Sequence, residues 1–176
     1  MNDMKKLLIV VDYQNDFIDG ALGFPGAEKL SPIIAGKIKK AREDGADVIF
    51  TLDTHGENYL ETSEGRHLPV PHCIKGTKGH ELRGEIKALV EPCDRIIEKP
   101  SFGSAELFDI LRGSGCTDIE LCGLVTDICV VSNAIIAKTA LPEANVTVDS
   151  AAVASFDKAK HDAALEVMKS VQVNVV

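Results

Sequence analysis

The sequence predicts an α/β protein with a mostly parallel, six-stranded sheet covered by helices on both faces. Two patterns carry that prediction. Short runs of β-branched and aliphatic residues are continuous rather than alternating, as in strands buried on both sides. Between them lie stretches with helical apolar spacing, roughly a dozen residues long, which is the length a right-handed crossover between parallel strands needs.

Leu7 to Val11 is the first such run and ends in Asp12. Ser31-Pro32 supplies a cap and a first-turn proline, Ile33, Ile34, Ile38 and Ala41 keep helical spacing, and Gly45 stops the helix. Asp47 to Leu52 is the second strand and leads into Asp53-Thr54-His55. Asp53 to about Glu81 shows little regular pattern but carries His55, His67, His72 and His80, and a loop of that length inside a compact domain is usually functional. Glu85 to Val90 suits a short helix, and Arg95 to Glu98 a third strand entering Lys99-Pro100. Ser104 caps a helix through Arg112 with Leu107, Phe108 and Leu111 on one face. Asp118 to Cys122 is a fourth strand, Gly123 to Thr126 a tight turn and Asp127 to about Lys138 an apolar helix. Asn145 to Val148, an amphipathic helix over Asp157 to Lys169 and a last strand over Val171 to Val175 complete the order.

With 176 residues, one domain over residues 1–176 is expected. A net charge of −8 without a basic cluster argues against a nucleic-acid surface. The apolar run near the N-terminus is too short for a signal peptide, and no stretch approaches a membrane span. Five cysteines without paired spacing suggest reduced thiols and a cytoplasmic protein.

In parallel sheets ligands bind beyond the carboxyl ends of the strands. Asp12, Asp53, Lys99 and Cys129 each lie at or just past such an end, so folding should gather them on one rim. Cys129 falls in the first turn of its helix, where the dipole and unpaired N–H groups favour a thiolate and can hold an oxyanion. A carboxylate such as Asp12 can take the thiol proton, and a lysine such as Lys99 can stabilise both charges. Taken singly, each has a plain alternative: a buried core cysteine, a strand-ending aspartate, a solvated lysine.

Asp53 and His55, two apart in extended chain, point the same way. With His72 and Glu64 they suit a divalent ion, zinc first, with manganese or iron as other choices, while Glu57, Glu61 and His67 compete for the same place. Loop histidines satisfied by solvent are the alternative. His80 and His161 read as surface residues, Cys122 as core, and Cys93 and Cys116 as structural or incidental.

Four separated stretches together resemble the isochorismatase-like cysteine hydrolases, and among them the nicotinamidases. They are Leu8 to Phe17 (LIVVDYQNDF), Asp53-Thr54-His55 with Pro71-His72-Cys73, Glu98-Lys99-Pro100 with Phe102-Gly103, and Gly123 to Val130 (GLVTDICV), in the family's order over nearly the whole chain. The resemblance implies a three-layer α/β/α fold in a single domain and a catalytic triad of Asp12, Lys99 and Cys129. It implies a cis peptide between Val125 and Thr126 shaping an oxyanion hole formed by Val125, Thr126 and Cys129. It further implies metal ligands Asp53, His55 and His72 with Glu64 fourth, Phe17 against the substrate, and a homo-oligomer, dimer or tetramer. Nicotinamidases convert nicotinamide to nicotinate and ammonia through a thioester, a step of NAD salvage. This chain departs from them in having no tryptophan, with Leu68, Pro69 and Val70 where an aromatic wall is common.

The expected activity is a cysteine-dependent amidohydrolase on a small carboxamide, nicotinamide first. An N-carbamoyl or ureido amidohydrolase would use the same triad but generally lacks the Asp-x-His ligands. A catalytically silent binding module would not need all three groups.

Overall fold

The computed structural model describes residues 5–176. Its sheet contains β1 (Lys6–Val11), β2 (Asp47–Asp53), β3 (Arg95–Lys99), β4 (Asp118–Leu124), β5 (Asn145–Ala154) and β6 (Asn174–Val175). The strands lie in the order β3-β2-β1-β4-β5-β6, and every pairing is parallel.

Alternation along β1 divides the core. Leu8 and Val10 join Val48, Phe50 and Leu52 of β2 beneath α1 (Leu30–Glu43) and the short α3 (Gly84–Lys87). Leu7, Ile9 and Val11 face the other way, toward α4 (Ala105–Arg112), α5 (Val131–Ala140) and α6 (Lys158–Ser170). Both sheet faces are therefore covered, which is the three-layer α/β/α arrangement and explains why the strands read as unbroken apolar runs.

The chain winds outward from β1 through β2 to β3, then crosses back to place β4 on the other side of β1. A crevice opens where the strand order reverses in this way, beyond the carboxyl ends of β1 and β4. Gly123 makes that closeness possible. Its φ is +118°, and a Cβ there would stand 2.0 Å from the Val11 carbonyl oxygen.

Some elements differ from the sequence prediction. The β5 strand continues to Ala154 past a register shift opposite Leu121 and Gly123, whereas β6 is limited to Asn174–Val175. The helix after β4 begins as a π-turn over Thr126–Val130 before α5. Apolar periodicity cannot tell those two windings apart over a single turn. The loop after β2 contains α2 (Ser63–His67), capped by the Thr62 hydroxyl, which accepts from the Gly65 N–H at 3.0 Å. Among the described residues no helix is long and apolar enough to cross a membrane.

Candidate active site

Lys99 is the hub. It closes β3, and its Nζ lies 2.6 Å from Asp12 Oδ2, 3.3 Å from Asp53 Oδ1 and 3.4 Å from Cys129 Sγ. It also donates to the Ser101 carbonyl at 3.0 Å. Asp12, just past β1 with φ 45°, accepts on its other oxygen from the Thr51 hydroxyl at 2.6 Å. Neither the Asp12 nor the Lys99 side chain has any solvent exposure. Strand order does the gathering: β3, β2, β1 and β4 are successive neighbours, so their carboxyl ends deliver Lys99, Asp53, Asp12 and the Cys129 turn to one point.

Burial acts on every charge in this ring. It pulls Lys99 down, but the Asp12 and Asp53 carboxylates outweigh it and hold the ammonium above its ordinary range. It pushes Asp12 up even against the Lys99 charge, which suits a carboxylate that is to take a proton. Burial also pushes the Cys129 thiol up, Asp12 adds to this, and Lys99 opposes both. Desolvation thus works against the low thiol pKa expected from the helix terminus alone.

Beside the ring, one ligand atom each from Asp53, His55, Glu64 and His72 lie within 4.8 Å of one another. Asp53 serves both groups. Its Oδ1 faces Lys99, while its Oδ2 stands 3.0 Å from His55 Nε2 and 3.3 Å from His72 Nε2. Burial raises Asp53, yet its contacts with His55 and His72 and the Lys99 charge keep its carboxyl below the usual range. His72 Nδ1 sits 2.8 Å from the Val70 carbonyl, which fixes the tautomer and turns Nε2 toward the other ligands. Two imidazoles and two carboxylates, largely buried and converging, suit zinc or a similar divalent ion. Glu57, Glu61 and His67, the competitors for this place, are exposed and outside the cluster.

A cavity of about 340 Å³ opens above these groups. Cys129, Asp53, Glu64 and His72 lie on one side of it, and Phe17, Leu22, Leu68, Phe102, Ile128 and Phe156 supply apolar walls. Phe17 lies 5.7 Å from the His72 ring, and Leu68 borders the space as the absence of tryptophan suggested. A larger groove of about 590 Å³ lies toward the amino ends of β1, β4 and β5, away from this chemistry.

The structure places Val125, Thr126 and Cys129 together on the turn leaving β4. The cis peptide is between Leu124 and Val125, one residue before the position the resemblance implied, because the reversal starts at the last residue of β4 itself. His80 is buried rather than superficial, its Nε2 2.8 Å from the Thr54 hydroxyl, since the loop folds back over the end of β2. His161 is half-buried, with Nδ1 2.8 Å from the Thr126 hydroxyl, because α6 packs on the π-turn.

Three supporting residues were not foreseen. Gln14 receives the Asp53 N–H at 2.7 Å and donates to the Asp53 and His80 carbonyls at 2.9 and 2.8 Å, fixing the backbone of that ligand. Tyr59 packs against His55 and His72 at 4.8 and 5.0 Å and donates to the Leu68 carbonyl at 2.8 Å. Asn133 joins α5 to the segment after β3. Only the position of Gln14, two residues past Asp12 in the first motif, offered a signal.

The isochorismatase domain family matches residues 6–176. The isochorismatase family protein PncA of Bacillus subtilis is 36% identical over 174 residues, covering 92% of this chain and 93% of that protein. The nicotinamidase/pyrazinamidase of Mycobacterium tuberculosis is 28% identical over 187 residues, covering 97% and 98%. The crystal structure of the Pyrococcus horikoshii pyrazinamidase in complex with zinc superposes with a TM-score of 0.85 at 33% identity, covering 98% of each chain. With the sheet, the crevice and these relatives in agreement, the chain belongs to the isochorismatase family, in its nicotinamidase branch.

Proposed function

We propose that this protein hydrolyses nicotinamide, or a closely similar aromatic carboxamide, to the acid and ammonia through a thioester on Cys129. Its relatives make it a hydrolase of amide C–N bonds; the substrate and the covalent route are our reading. The observation that carries the route is the buried Lys99 ammonium touching both Asp12 and Cys129, at 2.6 and 3.4 Å.

In this mechanism Asp12 takes the Sγ proton as sulfur attacks the amide carbon. Lys99 keeps Asp12 oriented and offsets the negative charge where both side chains are closed off from bulk solvent. The N–H groups of Thr126 and Cys129, on the turn that also carries Val125, hold the oxyanion. Collapse of the tetrahedral adduct breaks the C–N bond, and Asp12 returns its proton to the departing nitrogen, releasing ammonia. Water then attacks the thioester, with Asp12 again taking the proton, and the acid leaves with the thiol restored. Asp53, His55, Glu64 and His72 would hold the divalent ion, which when bound supplies a Lewis acid that anchors the ring nitrogen. Phe17 and Phe102 then flank the ring.

An ammonia-release screen over nicotinamide, pyrazinamide and N-carbamoyl compounds, with metal analysis of the purified protein, tests the reading. Turnover of the aromatic amides by metal-containing protein is expected. Activity confined to N-carbamoyl compounds in metal-free protein would replace it with the ureido reading.

A further inference from the structure

The cavity wall that carries Phe102 rests on an unusual support. Residues 100–103, between β3 and α4, make no backbone–backbone hydrogen bond among the described residues. Two side chains hold them instead. Lys99 Nζ donates to the Ser101 carbonyl at 3.0 Å, and Asn133 Nδ2 donates to the Phe102 carbonyl at 3.0 Å. Asn133 Oδ1 also accepts the Ser104 N–H at 3.0 Å, so one amide grips the segment on both sides of Gly103. The second proton on Asn133 Nδ2 goes to the Cys129 carbonyl, 2.8 Å away and one turn earlier in the chain.

We propose that Asn133 is a positioning residue for the hydrolysis: it fixes Phe102 against the turn carrying Cys129 and so sets how an aromatic amide lies before the sulfur. Few other side chains could do this. The position is fully buried, and the three partners need two donors and an acceptor in one plane, which a carboxamide offers. Aspartate would set acceptors against two carbonyls. Threonine could bond the carbonyl four residues back but would lose its reach to Phe102 and Ser104. Gly103 adds to the close fit, since a Cβ there would stand 2.6 Å from Ile136 Cδ1 on α5.

The inference rests on the amide-hydrolysis reading, and the test separates the two. Asn133→Thr keeps a partner for the Cys129 carbonyl and frees the wall; Asn133→Ala frees both. In Asn133→Thr the KM for nicotinamide should rise about tenfold, the scale expected for a small misplacement of substrate. Alkylation of Cys129 by iodoacetamide, which has no ring to be placed, should stay within about twofold, because Asp12, Lys99 and sulfur are untouched. Exchange of the Ser104 amide hydrogen should quicken in both variants. An unchanged KM in folded Asn133→Thr, or a parallel fall in turnover and alkylation, would overturn the proposal. Wild-type protein that releases no ammonia would defeat the substrate reading alone, and Ser104 exchange would still decide the clamp: faster if it exists, unchanged if it does not.

Discussion

Two lysines lie between paired carboxylates at opposite ends of the sheet. Lys99 stands 2.6 Å from Asp12 and 3.3 Å from Asp53 at the carboxyl end. Lys37, on α1, stands 2.6 Å from Glu120 and 2.6 Å from Asp149 above the groove toward the amino end. As charge patterns they are nearly the same, and the Lys37 groove is the larger of the two spaces. What separates them is water and sulfur. The Lys37 side chain keeps 19% of its exposure, and the neighbouring Cys122 thiol is buried in the core outside the groove; Lys99 keeps none and touches Cys129. Grouped charges become a reactive site only where loops from neighbouring strands exclude solvent and bring a nucleophile.

The sharpest test of that contrast is Cys129→Ala, which should lower kcat/KM for amide hydrolysis by about 10⁴-fold or more. Lys37→Met should leave kcat/KM within about twofold. Measurable ammonia release near the wild-type rate in the cysteine variant would abolish the contrast and the mechanism with it.

Stability should split the two lysines next. Lys99→Met leaves Asp12 and Asp53 buried without their counter-charge, a loss of about 3–5 kcal/mol. Lys37→Met, in a half-open groove, should cost about 1 kcal/mol or less. Urea midpoints of the two variants, measured side by side, check this; equal losses would mean that burial does not distinguish the ends.

Chelation probes the part of the site that the Lys37 end lacks. Removing metal should raise the KM for nicotinamide more than it lowers kcat. It should also lower the unfolding midpoint, and zinc added back at a hundredfold excess over its Kd should restore about 2.7 kcal/mol. A midpoint indifferent to chelator and zinc would remove the ion from the cluster.

The smallest effect is a pH dependence at the Lys37 end. Burial raises Asp149, but hydrogen bonds from Lys37 and the Ala151 N–H more than offset it and place the folded value below the ordinary one. Its contribution is therefore fully present above the ordinary carboxylate pKa and is lost as pH falls through the folded value. Lys37→Met should flatten that acid limb by about 0.5 kcal/mol, read from chemical unfolding as the pH is lowered.

Much of the site was legible before folding because it sits where patterns change. Asp12, Asp53 and Lys99 each end an apolar run, and parallel strands leave their ends on one rim. His55 follows Asp53 at the strand spacing, which forecast a shared ligand position. The choice of Glu64 over Glu57, Glu61 and His67 came from the resemblance and not from local pattern, because it depends on the Thr62-capped turn of α2. The burial of His80 and the contact of His161 with Thr126 depend on loops and helices meeting across 26 and 35 residues.

The sequence by itself determined the layers, the strand ends and the residues presented there, since side-chain periodicity and chain punctuation act over a few residues. Tertiary structure alone decided that burial works against the Cys129 thiolate, that Asp53 turns one oxygen to Lys99 and the other to the histidines, and that Asn133 reaches Phe102 and Ser104. Desolvation and hydrogen bonding depend on what lies across space, and the sheet order β3-β2-β1-β4 sets that arrangement.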